Sequence, residues 1–243
     1  MTSFDFLVQT ELEHFENSLD VALSADVELV DDIARYMSKL KGKRLRPVLA
    51  LLSAKAVRLE SRDDIVDAAV ALEMIHAATM VHDDVVDSAK MRRGSASINE
   101  KWSGQVAVLM GDFLLAKALN ILVEIGDLRA LSVVSKATQR LSVGEIFEIQ
   151  IGEQHDVRES SYFSMVNDKT ASLISASVCL GPIFSKADEA VIASMGKYGE
   201  LLGAAFQIAD DILDYTGDSV TMGKPVGHDL REGKITLPLI RAL

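Results

Sequence analysis

Cysteine is almost missing from this chain: Cys179 is the only one in 243 residues. No intrachain disulfide can form, and the lone thiol lies in an apolar run, so a reducing compartment is the expected setting. Proline is scarce as well, occurring only as Pro47, Pro182, Pro225 and Pro238. Aromatic residues make up 5%. Few breakers and few aromatics favour long helices over many short strands. An excess of positive charge is absent too, because 25 Lys and Arg face 36 Asp and Glu for a formal charge of −11. That disfavours nucleic acid as a partner, and it disfavours electrostatic attachment to an anionic membrane. No apolar run reaches the roughly 20 residues that a bilayer-spanning helix needs. The run Ala171 to Phe184 is too short, and 106–125 is interrupted by Asp112, Lys117, Asn120 and Glu124. Acids throughout Phe4 to Asp20 are unlike a secretory signal. Neither a repeat of 20–50 residues nor a low-complexity tract appears, which disfavours a solenoid. The expectation is a soluble, cytoplasmic, all-helical protein, with one domain over 1–243.

What the chain has in abundance is helical patterning. Apolar residues, 49% of the total, recur at Phe4, Leu7, Val8, Leu12, Phe15 and Leu19 with the spacing of one helix face. A second helix is expected over 27–40, stopped at Gly42. A third runs from Arg46-Pro47 through Leu59, with proline in its tolerated first turn. Ser61 and Asp64 mark the start of a helix over about 63–87. It is apolar on nearly every side, as a buried central helix is. Further helices are expected over 106–125, 128–151, 168–180 and 188–215. Loops are expected at 92–95 and 216–233, a polar break around 156–161, and a final helix from Ile235.

Two segments put carboxylates where they are expensive. Met80-Val-His-Asp-Asp-Val-Val-Asp87 supplies Asp83, Asp84 and Asp87; Gln207-Ile-Ala-Asp-Asp-Ile-Leu-Asp214 supplies Asp210, Asp211 and Asp214. Helical residues four apart share a face, so Asp83 pairs with Asp87 and Asp210 with Asp214. Two carboxylates about 5 Å apart repel by roughly 3 kcal/mol at an effective dielectric of about 20. Doing this twice makes sense if something strongly cationic sits between them. Hard divalent cations with oxygen ligands fit best, and Mg²⁺ typically brings a substrate phosphate with it. Basic residues cluster over 41–46, at Arg92-Arg93 and between Lys224 and Lys234. In an acidic chain, such pockets point to a small anionic ligand. One Asp-Asp-x-x-Asp is more often a solvated face; the second copy and its basic company change that.

These features come in a series: Gly42-Lys-Arg-Leu-Arg-Pro47, Glu73-x-x-His76, Asp83-Asp-x-x-Asp87, Arg92-Arg-Gly94, Gly111-Asp-Phe-Leu-Leu115, Lys169-Thr170, Phe206-Gln-x-x-Asp-Asp-x-x-Asp214, Gly223-Lys-Pro-x-Gly-x-Asp229 and Gly233-Lys-Ile-Thr-Leu-Pro238. In order and content the series resembles the trans-polyprenyl diphosphate synthases, over about residues 40–240. The resemblance implies an all-α bundle of the isoprenoid synthase type whose central cavity is lined by two Asp-rich helices. It implies a homodimer and a condensation of isopentenyl diphosphate with an allylic prenyl diphosphate. Asp83, Asp87 and Asp210 would bind Mg²⁺, with Asp84, Asp211 and Asp214 in support and three ions per site when substrate is bound. Arg92, Lys169 and Lys224, with Lys234 nearby, would hold the allylic diphosphate. Lys43, Arg46, His76 and Arg93 would hold that of isopentenyl diphosphate. Thr170 and Gln207 would line the space where the carbocation forms.

A departure accompanies the resemblance. The family usually continues for several helices past Gly-Lys-Ile-Thr-Leu-Pro, whereas five residues follow Pro238 here. The C-terminal helices are therefore expected to be missing, through truncation or because the member is short. Three other readings compete. A non-catalytic subunit of a heteromeric synthase would tolerate loss of the aspartates or of Arg92, Arg93 and Lys169, and all are intact. A di-metal carboxylate bundle needs two Glu-x-x-His motifs, which Glu73-x-x-His76 and Glu11-x-x-His14 match formally, but it leaves the basic segments without a role. Terpene cyclases generally lack the Gly-Lys-Arg-Leu-Arg-Pro segment. His82 is read as structural, and His14, His155 and His228 carry no constellation.

Product length is read from the turns below Asp83. A helical turn rises about 5.4 Å, close to one isoprene unit. Thr79 and Ala78, four and five residues before Asp83, are small, and Ile75 lies one turn deeper. In short-chain relatives a bulky aromatic near those two positions blocks the tail. The expectation is a product of about C30–C40, with Phe113 and Leu114 as a lower floor.

Overall fold

The computed structural model describes residues 5–40, 42–58, 63–92, 94–217 and 227–243. After a 3₁₀ turn at Asp5–Val8, the helices are α1 (Gln9–Leu23), α2 (Glu28–Lys39), α3 (Leu45–Ala56) and α4 (Asp63–Val86). A two-residue hairpin, β1 (Met91–Arg92) and β2 (Ser95–Ala96), leads to α5 (Ile98–Lys101), α6 (Gly104–Ile125) and α7 (Leu128–Gln154). Then come α8 (Glu159–Val166), a π-helical turn (Asn167–Ala171), α9 (Ser172–Phe184), α10 (Glu189–Thr216), α11 (His228–Arg231) and α12 (Leu237–Ala242).

Local chemistry sets the ends. Ser103 caps α6 by accepting the Val106 N–H at 3.1 Å, and Gly126 closes it with φ 73°. Pro47 and Pro238 fall in first turns, where no N–H is needed. Four features differ from the sequence-based expectation. The helix expected from 168 begins at Glu159, because the Asp156 carboxylate accepts from the Arg158 N–H and the Ser161 hydroxyl and closes the polar break early. That helix is interrupted by the π turn. The chain continues through Pro182 to Phe184, since Gly181 lies directly on α3 and donates its N–H to Ser53 Oγ at 3.2 Å. A Cβ on Gly181 would come within 2.3 Å of the Ala54 nitrogen, so only glycine permits that contact. Where a loop is expected at 92–95, Met91 and Arg92 pair antiparallel with Ala96 and Ser95, and Gly94 has φ 77°.

The chain divides into two compact units, Met1–Ser132 with Ser177–Ile192, and Val133–Ala176 with Ala193–Leu243. In the first, α4 runs through the centre against α1, α3 and α6. Leu72, Met74 and Ile75 are fully buried there, each contributing about 1.5–3 kcal/mol on removal from water. In the second, Ile151, Tyr162, Met165, Val166 and Ile235 form the core, with Phe147 and Ile208 against it.

Among the described residues, two helices, α4 and α6, are long and apolar enough to cross a membrane by length and composition. The most apolar stretch of α4 is 67% buried, as befits a core helix. That of α6 is 33% buried and leaves Val108, Leu109, Leu119 and Val123 exposed.

Candidate active site

The end of α4 carries the first aspartate segment. Asp83 is half-buried and Asp87 exposed, four residues apart on one face. Asp84 is buried and accepts from Arg92 Nε at 2.6 Å. The hairpin thus delivers a cation to the middle carboxylate. Asp84 is thus held inward beside Arg92, while Asp83 and Asp87 are more exposed.

Upstream, Lys43 and Arg46 flank Arg44, whose φ of 51° is left-handed. A non-glycine residue there costs on the order of 1–2 kcal/mol, and three contacts hold it. Arg44 donates to Glu16 at 2.9 and 3.2 Å and to Glu73 at 2.7 Å, and its guanidinium lies 5.7 Å from the Phe15 ring centroid. Burial lowers its basicity, and the two carboxylates outweigh that and raise it. Arg44 therefore serves the structure, while Lys43 is exposed. Arg46 Nε is buried without a hydrogen-bond partner. Burial, partly offset by Glu73, pushes Arg46 down to about 10, which leaves it cationic at neutral pH. A buried unsatisfied guanidinium N–H is a position an anion can fill. His76, Asp84 and Arg92 border one cavity of about 110 Å³.

In the other unit, α10 carries the second segment. Asp210 is exposed, whereas Asp211 and Asp214 are buried at 3% and 5% exposure. Asp211 accepts from the Tyr162 hydroxyl at 2.6 Å and from Gln207 Nε2 at 2.8 Å. Gln207 Oε1 in turn accepts from Thr170 Oγ1 at 2.8 Å. Burial pushes the Asp211 carboxyl up, outweighing the two hydrogen bonds that would lower it. Burial and then Asp211 push the Tyr162 phenol up. Asp214 accepts from the Asp229 N–H at 3.2 Å, and its carbonyl accepts from Gly227 N–H at 2.7 Å. The expected equivalence of Asp210 and Asp214 on one face does not extend to exposure, because returning backbone covers Asp214.

The π turn supplies Lys169 and Thr170. Lys169 Nζ donates to Glu145 and Glu148 on α7, both at 2.6 Å. Burial would lower the ammonium pKa; Glu148 and Glu145 outweigh it and hold it above the ordinary lysine range. Lys234 pairs with Glu232 at 2.8 Å. Arg93 and Lys224 lie outside the described residues. Of the expected length-setting positions, Ala78 and Ile75 are buried, Thr79 is half-buried with its hydroxyl on the His76 carbonyl, Leu114 is buried and Phe113 half-buried. His82 is structural, as expected: its ring packs where a Cβ on Gly111 would clash at 2.1 Å, and it bonds the Val108 carbonyl.

The sequence reading named none of Tyr162, Glu145, Glu148 or Arg44 as site components. Glu145 and Glu148 lie one turn apart on α7, a spacing that shares a face; that was the available signal. The di-metal bundle reading loses its ligands. Glu73 is taken by Arg44, and Glu11 by Lys55 at 2.8 Å. Among the described residues no three His, Cys, Asp or Glu side chains converge on one ion position.

Comparison with known proteins identifies the family. Residues 27–243 match the family described as polyprenyl synthetase. The chain is 38% identical over 221 residues to the octaprenyl diphosphate synthase of Escherichia coli K12, covering 91% of this chain and 68% of that one. It is 38% identical over 233 residues to heptaprenyl diphosphate synthase component 2 of Geobacillus stearothermophilus, covering 96% and 72%. Among solved structures, the polyprenyl synthase of Caulobacter crescentus CB15 complexed with calcium and isoprenyl diphosphate superposes with a TM-score of 0.93 at 35% identity, covering 98% of this chain and 73% of that one. The chain belongs to the polyprenyl synthetase family of trans-prenyltransferases.

Proposed function

We propose that the chain extends an allylic prenyl diphosphate with isopentenyl diphosphate, giving all-trans polyprenyl diphosphates of about C30–C40, within one isoprenoid-synthase domain. The observation that carries this reading is the division of labour in the first aspartate segment. Asp83 and Asp87 face outward while Arg92 neutralises Asp84 behind them. The oxygen donors fit Mg²⁺, which keeps several positions for water and substrate phosphate. Asp83 and Asp87 in the first segment, and Asp210 in the second, are the proposed ligands. Asp84, Asp211 and Asp214 act through the residues they bind. When bound, Mg²⁺ supplies positive charge to a departing diphosphate.

The chain's own groups do the rest. Lys169, fixed between two glutamates, offers its ammonium to the allylic diphosphate, with Arg92, Lys224 and Lys234. Lys43, Arg46, His76 and Arg93 take the diphosphate of isopentenyl diphosphate. As the allylic C–O bond breaks, Thr170 and Gln207 present oxygen to the cation, oriented by Asp211 and Tyr162. The double bond of isopentenyl diphosphate attacks, and the proton it sheds leaves to the released diphosphate. Apolar walls keep water from quenching the cation. Incubating the isolated chain with isopentenyl diphosphate, an allylic primer and Mg²⁺, then sizing the products, tests the reading. Absence of any elongated product, with both substrates bound, would overturn it.

A homodimer and a cytoplasmic location belong to the same reading. The exposed apolar stripe Val108, Leu109, Ala116, Leu119 and Val123 on α6 suits a second copy, since such patches mark association surfaces. Sedimentation should give a dimer, and Leu109→Glu with Val123→Glu should give a monomer. A second reading, a subunit that works only with another chain, draws on the relative named component 2. Turnover by the isolated chain rejects it.

A further inference from the structure

The π turn Asn167–Ala171 is gripped from two sides. One stripe of α7 supplies the first grip. Arg140 Nε donates to the Asp168 carboxylate at 2.7 Å, and its Nη2 donates to the Asn167 carbonyl at 3.1 Å. One turn along, Gly144 meets the turn's backbone so closely that a Cβ would lie 2.4 Å from the Lys169 nitrogen and 2.7 Å from its Cα. The next residues in that stripe, Glu145 and Glu148, hold the Lys169 ammonium. A stripe of α10 supplies the second grip. Glu200 accepts from Arg140 at 3.4 Å, and a Cβ on Gly203 would lie 2.5 Å from the Ala171 Cα. Gln207 accepts from Thr170. Ser172, just past the turn, donates to the Asp168 carbonyl at 2.6 Å.

A π turn is rare, and single turns of it occur mostly within α-helices at functional sites. Its extra residue per turn rotates the side chains that follow relative to a continuous α-helix. The direction in which Lys169 and Thr170 point therefore depends on keeping the turn at this width. Both glycines touch backbone rather than flexible side-chain ends, so a methyl group at either position must displace the turn itself. The Arg140–Asp168 pair fixes the turn's first residues at half-exposed positions away from the core.

We propose that Arg140, Gly144 and Gly203 are positioning residues for the allylic diphosphate, acting through the π turn that presents Lys169 and Thr170. This deepens the function proposed above and rests on Lys169 facing that diphosphate.

The test measures binding, so it does not depend on turnover. Affinity for the thiolo analogue of farnesyl diphosphate with Mg²⁺, and separately for isopentenyl diphosphate, is determined by calorimetry on the full chain. The variants are Arg140→Gln, Arg140→Lys, Gly144→Ala and Lys169→Ala. Arg140→Gln and Gly144→Ala should weaken the allylic analogue about tenfold, the range of coupling between neighbouring groups. Isopentenyl diphosphate should stay within about twofold, and Arg140→Lys should recover part of the loss through Asp168. If Gly144→Ala does not fold, the Arg140 variants decide. Equal weakening of both ligands, or an unchanged allylic affinity in Arg140→Gln while Lys169→Ala loses it, overturns the positioning role alone. An unchanged allylic affinity in Lys169→Ala overturns the functional reading beneath it.

Discussion

Asp84 and Asp211 hold the same place in their two Asp-Asp-x-x-Asp segments, yet a cation secures the first and neutral donors secure the second. Arg92 meets Asp84 with charge, whereas Tyr162 and Gln207 meet Asp211 with a hydroxyl and an amide. The third positions diverge as well. Asp87 stays exposed, while Asp214 is covered by backbone from 227–229. The same five-residue spelling thus yields two outward acids in one segment and one in the other. Spacing on a helix decides which residues share a face, and the elements packed on that face decide which are available to a ligand.

Breaking the outward acids should have the largest effect. Asp83→Ala and Asp210→Ala should each cost about a hundredfold or more in turnover, as loss of a transition-state charge partner does, with the thermal unfolding curve preserved. More than about a tenth of parent activity in both would sink the metal assignment. The inward acids should differ from each other in stability. Arg92→Met removes the cationic partner of a buried carboxylate and should cost about 3 kcal/mol. Tyr162→Phe removes one neutral hydrogen bond to a carboxylate that keeps Gln207, and should cost about 1–2 kcal/mol. Urea unfolding measures both, and equal losses would erase the distinction between the segments.

The basic groups sharpen the comparison further. Lys43→Ala and Arg46→Ala should raise KM for isopentenyl diphosphate by about tenfold, the scale of one charge-assisted contact. Lys169→Ala and Lys224→Ala should act on the allylic substrate or on kcat instead. The same change on both substrates from all four variants would mean one diphosphate site rather than two. Product length should respond on one side only. Ala78, five residues before Asp83, is buried, whereas Ala205, five before Asp210, is exposed. Ala78→Phe should shorten products to about C15–C20 by blocking a turn of the ruler, and Ala205→Phe should leave them unchanged. A product distribution indifferent to Ala78→Phe refutes the ruler.

The smallest effect concerns pH. Burial raises the folded-state pKa of Asp211, so this group favours folding fully below its unfolded pKa of about 4. That contribution fades as pH rises through the folded value. Parent stability should therefore fall relative to Asp211→Asn as pH climbs from about 4 through that raised value. A difference between the two proteins that is flat with pH would mean that Asp211 titrates alike in both states.

Helices proved legible because apolar periodicity and capping residues are local signals. The expected 63–87 helix is α4 at Asp63–Val86. The π turn was not legible. Nothing within Asn167-Asp-Lys-Thr-Ala171 marks it, since its cause is the close approach of Gly144 and Gly203 from other helices. The site divides in the same way. Asp83 stands out as a candidate by its spacing, and Lys43 and Arg46 by resemblance, whereas Asp211 facing Tyr162 depends on a contact 49 residues apart in sequence.

The left-handed Arg44 has a mechanical consequence. Its grip on Glu16 makes α1 a brace for the turn at Lys43 and Arg44 that leads into α3 and Arg46. Cutting the chain after Glu16, or replacing Glu16 with alanine, would let that turn relax toward unstrained backbone. The damage would register as weaker capture of isopentenyl diphosphate by a protein that still folds, so the first helix works as a spring-loaded latch on a site to which it contributes no ligand of its own.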